Sequence, residues 1–94
     1  MKNKPIIIKN FIEVYFIKDD TFFMEIGIDE IPMEQIKKII IPKKDDPECY
    51  NPYQIDTEMS IKINRLLEEK VVFDFDTYEY YFQRLDVSFE TNRI

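Results

Sequence analysis

At 94 residues, 11.5 kDa and 45% hydrophobic content, the chain has the scale and composition of one small packed domain. It holds no histidine, one cysteine, two serines and one glycine. That inventory removes Ser-His-Asp and Cys-His catalysis, His-ligated zinc, every Cys-pair motif and a phosphate-cradling glycine loop. Thirteen bases against nineteen acids give a net charge of −6 and a pI near 4.6. Such a chain repels nucleic acid and anionic membrane and suits a basic partner, which directs the reading away from an enzyme and toward a binding protein.

In chain order, residues 11–17 (Phe-Ile-Glu-Val-Tyr-Phe-Ile) are β-branched and aromatic almost throughout, and predict a strand. Alternation places Ile12, Val14 and Phe16 on one face and Phe11, Glu13 and Tyr15 on the other. The polar turn Lys18-Asp19-Asp20-Thr21 leads to a second strand over 21–28, completing an antiparallel hairpin. Here Phe22, Met24, Ile26 and Ile28 share one face, and Thr21, Phe23, Glu25 and Gly27 the other. The spacing of Met33, Ile36 and Ile40 predicts a short helix over 31–40, capped by Asp29, with Pro32 in its first turn and Pro42 ending it. Residues 42–54, with three prolines, form one long loop. Asp56 caps a second helix over 56–70, whose apolar stripe is Met59, Ile63, Leu66 and Leu67 and whose last turn Lys70 closes.

Val71 to Phe75 suits either an extension of that helix or the start of a strand, and Asp74-Phe75-Asp76-Thr77 reads as a turn. Tyr80 to Phe89 predicts the last strand, with Tyr81, Leu85, Val87 and Phe89 on one face and Phe82, Arg84, Asp86 and Ser88 on the other. Phe23 and Phe82 thereby fall on the face assigned to solvent. The order is β-β-α-α-β with room for one short extra strand. This is an α+β domain, an antiparallel sheet of three to four strands with two helices on one face.

Cys49 has no partner for an internal disulfide, and the longest apolar runs fall far short of the roughly 20 residues of a membrane helix. The first eight residues lack the apolar stretch of a signal peptide, so the expected location is cytoplasmic. The abundance of isoleucine (sixteen, with no alanine) reads as compositional bias.

Charge is unevenly spread. Residues 1–44 carry seven acids and eight bases; residues 45–94 carry twelve acids and five bases. In that second half Asp45, Asp46 and Glu48 cluster on the long loop beside Tyr50. Asp74, Asp76 and Glu79 cluster among Phe73, Phe75, Tyr78, Tyr80 and Tyr81. Tyrosine beside carboxylate suits an interface for a basic protein, the ring supplying rigid area and the acid orientation and fast encounter. The candidate binding residues are therefore Asp45, Asp46, Glu48, Tyr50, Asp74, Asp76, Tyr78, Glu79, Tyr80 and Asp86. The plainer alternatives are a solvated acidic loop for the first cluster, turn chemistry for Asp74 and Asp76, and core packing for most of the rings.

Asp74, Asp76 and Glu79 superficially resemble a calcium loop but lack its glycine and distal glutamate, so no metal or cofactor is implied. Cys49 lies between acids, which raise a thiol pKa, and reads as a buried or idle thiol.

The order of features resembles the small immunity proteins of the cloacin and colicin type, and the immunity-like domains encoded beside polymorphic, contact-dependent inhibition toxins. The resemblance spans about residues 10–89. It rests on Phe16-Ile17-Lys18-Asp19-Asp20-Thr21 in a hairpin and Glu25 on its second strand. It continues through Ile41-Pro42-Lys43-Lys44-Asp45-Asp46-Pro47-Glu48-Cys49-Tyr50, the helix from Met59 to Leu67, and Asp74 to Phe82 entering the last strand. The chain departs from the cloacin pattern in having no tryptophan and a lysine-richer front half. The resemblance implies a protein that binds one cognate toxin, often a basic nuclease, and blocks it in the producing cell. The alternative is a scaffold or adaptor subunit that self-associates by edge pairing of its last strand.

Overall fold

The computed structural model describes residues 6–88. Its elements in order are β1 (Ile8–Phe16), β2 (Phe22–Gly27), α1 (Met33–Ile39), β3 (Tyr53–Gln54), α2 (Thr57–Leu66) and β4 (Tyr78–Asp86). The strands form one antiparallel sheet in the order β2-β1-β4-β3, so the first and last long strands lie side by side at its centre. The α+β class holds, and the extra strand falls inside the long loop.

One face of the sheet is buried under the helices. Ile12 and Val14 of β1 and Tyr80 and Phe82 of β4 join Ile36, Ile39, Ile40, Ile63 and Leu67 in a single core. The registers Ile12↔Ile26 and Ile12↔Phe82 bring three apolar side chains into one cross-strand row on that face. Phe82, expected on the solvent face, is fully buried. Alternation along β4 is as predicted, but both of its faces carry rings, and the pairing with Ile12 decides which face is inside.

The hairpin departs from simple alternation at a β-bulge. Val14 pairs with Met24 and Tyr15 with Phe22, leaving Phe23 as the extra residue. The slip moves Phe22 to the open face against Tyr15, with ring centroids 5.7 Å apart. It turns Phe23 the other way, onto Phe16 and Tyr78 at 5.0 and 5.2 Å. Both residues therefore exchange the faces expected of them. The turn itself is closed by Asp19, whose carboxylate accepts from the Thr21 N–H and hydroxyl, while Asp20 takes a positive φ of 60°.

Asp56 caps α2 as predicted, accepting from the Met59 N–H at 2.8 Å. This helix ends at Leu66, short of the expected residue 70, and Lys70 donates to the Leu67 carbonyl. Leu66 on the predicted stripe is exposed, and Ser60 takes an inward position instead. Asp29 does not cap α1, whose N-cap is Pro32 with no side-chain bond. Asp29 accepts instead from the Asn10 N–H at 2.8 Å and lies 3.9 Å from Lys9.

Val71 to Asp74 is neither helix nor strand. The Asn64 amide brackets Val71, donating to its carbonyl and accepting from its N–H, both at 2.8 Å. This segment packs Val71, Phe73 and Phe75 against the core. Phe89 and the chain ends read from sequence lie outside the described residues.

Candidate functional site

The second face of the sheet is not covered by either helix. Its cross-strand rows follow from the register: Glu25–Glu13–Tyr81–Gln54, and beside it Phe22–Tyr15–Glu79. The Tyr15 hydroxyl donates to Glu13 at 3.1 Å and the Tyr81 hydroxyl to Glu79 at 3.3 Å. The two rings meet edge to face at 5.8 Å. Two Glu-x-Tyr segments on antiparallel neighbours thus form a checkerboard in which each tyrosine stands opposite the other strand's glutamate. With Asp20 at the hairpin end, they line a shallow concavity of about 410 Å³.

The electrostatics of this face are one-sided. Glu13 and Glu25 stand directly opposite each other, a pairing that destabilises a sheet when nothing neutralises it. Among the described residues the ion pairs are Lys9–Asp29 and Lys37–Glu48, and neither involves Glu13, Asp20, Glu25 or Glu79. Burial first, and then the hydrogen bond and charge of Glu13, push the Tyr15 phenol above its ordinary pKa. Burial first, and then the charge and hydrogen bond of Glu79, do the same for Tyr81. Both phenols are neutral donors at physiological pH, and each occupies a single oxygen of its carboxylate. Chemically, the arrangement presents fixed acceptors and ring faces to a cationic group.

The sequence-predicted residues do not form one surface. Glu79 alone belongs to the open face just described. Tyr80 is 3% exposed, and its hydroxyl accepts from the Asp74 N–H at 2.9 Å; it is a core residue, which removes it as a contact. Tyr78 packs on Phe16 and Phe23 at the helix-side rim. Asp74 closes its own turn, its carbonyl accepting from Thr77 and Tyr78 and its carboxylate from the Asp76 N–H. Asp76 is exposed beside Lys18 and Thr77. Asp86 accepts from the Ser88 N–H and hydroxyl, bonds that hold its carboxyl below the usual range.

The acidic loop is knitted into itself. Asp46, expected at the surface, is buried and accepts from the Tyr50 N–H, the Asn51 N–H and the Tyr53 hydroxyl at 2.8, 3.0 and 2.8 Å. Glu48 pairs with Lys37 at 2.9 Å. Arg84 donates to the Glu48 carbonyl and to Asn10, and lies 4.9 Å from the Tyr50 ring centre. Asp45 remains exposed. Cys49 is buried at a positive φ of 58°, and burial, with Asp46, pushes its thiol pKa up. Tyr78 and Arg84 are six residues apart on β4, so the turn and loop clusters are separated by about 20 Å at the rise of a strand. Among the described residues no three acids or thiols converge to hold a metal ion, and no helix is long and apolar enough to cross a membrane.

Residues 9–83 match the family described as Domain of unknown function (DUF7683). The chain belongs to this family. The matched span runs from the second residue of β1 into β4 and so takes in all four strands and both helices. No curated protein and no solved structure matches the chain.

Glu13, Tyr15, Asp20, Glu25 and Tyr81 of the open face are not among the binding residues read from the sequence. The signal was present in the repeated Glu-x-Tyr spacing at 13–15 and 79–81, but its meaning depends on β1 and β4 being neighbours.

Proposed function

We propose that this domain is a non-enzymatic inhibitor of the immunity type, which binds a basic toxin domain, a nuclease, through the open face of its sheet. One observation carries the reading: Glu13, Asp20, Glu25 and Glu79 surround Tyr15 and Tyr81 with no ion-paired cation among the described residues. Solvated charges of one sign focus the encounter with an opposite charge, and flat aromatic area slows departure once contact is made. Such a face occupies the basic surface on which a nuclease would hold its polyanionic substrate. Specificity comes from the positions of the individual acids and rings. The domain would act in the cytoplasm of the producing cell.

The test is co-expression with the C-terminal domain encoded immediately upstream. A neighbour that stops growth alone, and is harmless and co-purified with this chain, supports the reading. A harmless or unbound neighbour overturns it. The adaptor reading draws on a different observation, the exposed apolar edge of β2, since β4 lies between β1 and the short β3 in the sheet. Sedimentation showing a stable homodimer with no second protein would favour it.

A further inference from the structure

The two edges of the sheet are treated differently. At one, β3 is two residues long, follows Pro52 and runs at once into Ile55, bonded to Tyr80, and the Asp56 cap. Short length and an adjoining proline are the usual protections of an edge. At the other, β2 is six residues long with no proline and no lysine. Phe22, Phe23 and Met24 are 52, 47 and 42% exposed in succession.

The outward backbone groups of β2 follow from the ladder. The Ile28 N–H bonds the Asn10 carbonyl at 2.9 Å, so Asn10 and Ile28 are a bonded pair. By the alternation of antiparallel ladders, Ile12/Ile26 and Val14/Met24 are bonded too, and the N–H and C=O of Glu25 and Gly27 point away from β1. Among the described residues no group bonds them from the outer side.

We infer that β2 is a docking edge onto which an extended segment of a basic protein partner adds as a fifth strand, with a lysine or arginine opposite Glu25. A residue placed there lies about 5.5 Å from Glu25 by Cα and on the row that already holds Glu13, so one cation relieves the like-charge pair. Its neighbours in sequence fall on the other face, beside Met24 and Ile26, and are apolar. Main-chain bonds to Glu25 and Gly27 supply affinity, and the alternating side chains supply selection. A second copy of this chain is the less favoured occupant, because it brings another −6 to the same edge.

The inference deepens the open-face reading and rests on its choice of a basic partner. The probe is an eight-residue peptide alternating lysine and valine, titrated into the full chain with amide exchange followed residue by residue. Saturable binding that slows exchange at Glu25 and Gly27 is expected. Gly27→Pro removes one outward N–H, and a Cβ there meets only Phe11 Cε1 at 4.0 Å. This variant should bind at least tenfold more weakly with an unchanged spectrum, as should Glu25→Lys. No binding, protection confined to Tyr15 and Tyr81, or undiminished binding by Gly27→Pro overturns the edge. A homodimer joined through β2 overturns it as well. An inert upstream neighbour sinks the immunity reading alone, and a true toxin complex insensitive to Gly27→Pro sinks the edge alone.

Discussion

Asp46 shows how an acid in a charge run becomes an internal ligand. Burial raises its pKa, but donors from Asn51, Tyr53 and Tyr50, with the charge of Lys43, outweigh that and hold the carboxyl below its usual range. A depressed folded pKa contributes stability that is present above the unfolded value, near 3.8, and is lost as pH falls through the folded one. Asp46→Asn should therefore destabilise the domain at neutral pH and flatten its loss of stability as pH falls below about 4. Thermal melts across that range check this, and parallel wild-type and variant curves would refute it. The opposite sign applies to Tyr15 and Tyr81. Their raised pKa values place tyrosinate formation above the ordinary 10.0, and their contribution persists below that value and is lost as pH rises through the folded one. Absorbance titration at alkaline pH should show Tyr15, Tyr53 and Tyr81 as late phenols in the wild type, with one lost in Tyr15→Phe and one in Tyr81→Phe. The role of Asp46 is not visible in local sequence, because an aspartate in a run looks the same whether it faces water or three donors.

At the scale of elements, what was legible was what depends on neighbours in sequence. The hairpin turn, the Asp56 cap and the strand character of 11–17 all rest on contacts within a few residues. The misses rest on contacts that cross the chain. Asp29 has a cap's chemistry but is taken by Asn10 on β1, and Val71 is held by Asn64 in place of a helical bond. Face assignment failed for Phe82 and Phe23 for the same reason: period two gives two faces without saying which is covered, and a bulge inverts the pattern beyond it. The difference is measurable. Phe82→Ala removes a fully buried ring and should cost about 3–5 kcal/mol in urea denaturation. Phe23→Ala loses a half-exposed ring stacked on Tyr78 and should cost about 1 kcal/mol. Equal costs would contradict the placement of the core.

At the scale of the whole molecule, the topology changes the meaning of the charge count. The front half of the chain is nearly neutral and the rear half strongly acidic, which directs attention to the rear. The β1–β4 register joins residues 62 to 78 positions apart and sets Glu13 and Asp20 from the front beside Glu79 from the rear. The acidic face is a product of pairing and has no counterpart in either half alone. Two sets of reversals separate the alternatives. Glu13→Lys with Glu79→Lys reverses two charges within one concavity. Asp45→Lys with Asp74→Lys changes the net charge equally, but at two exposed sites on separate clusters. If the open face steers a basic partner, the first pair should lower the association rate at least tenfold at low salt, and the second by only a few-fold. Both effects should shrink as the screening length falls below about 10 Å above 0.1 M salt. Equal losses from the two pairs, in rates measured by stopped flow, would mean that net charge alone attracts the partner and that the face is not its landing site.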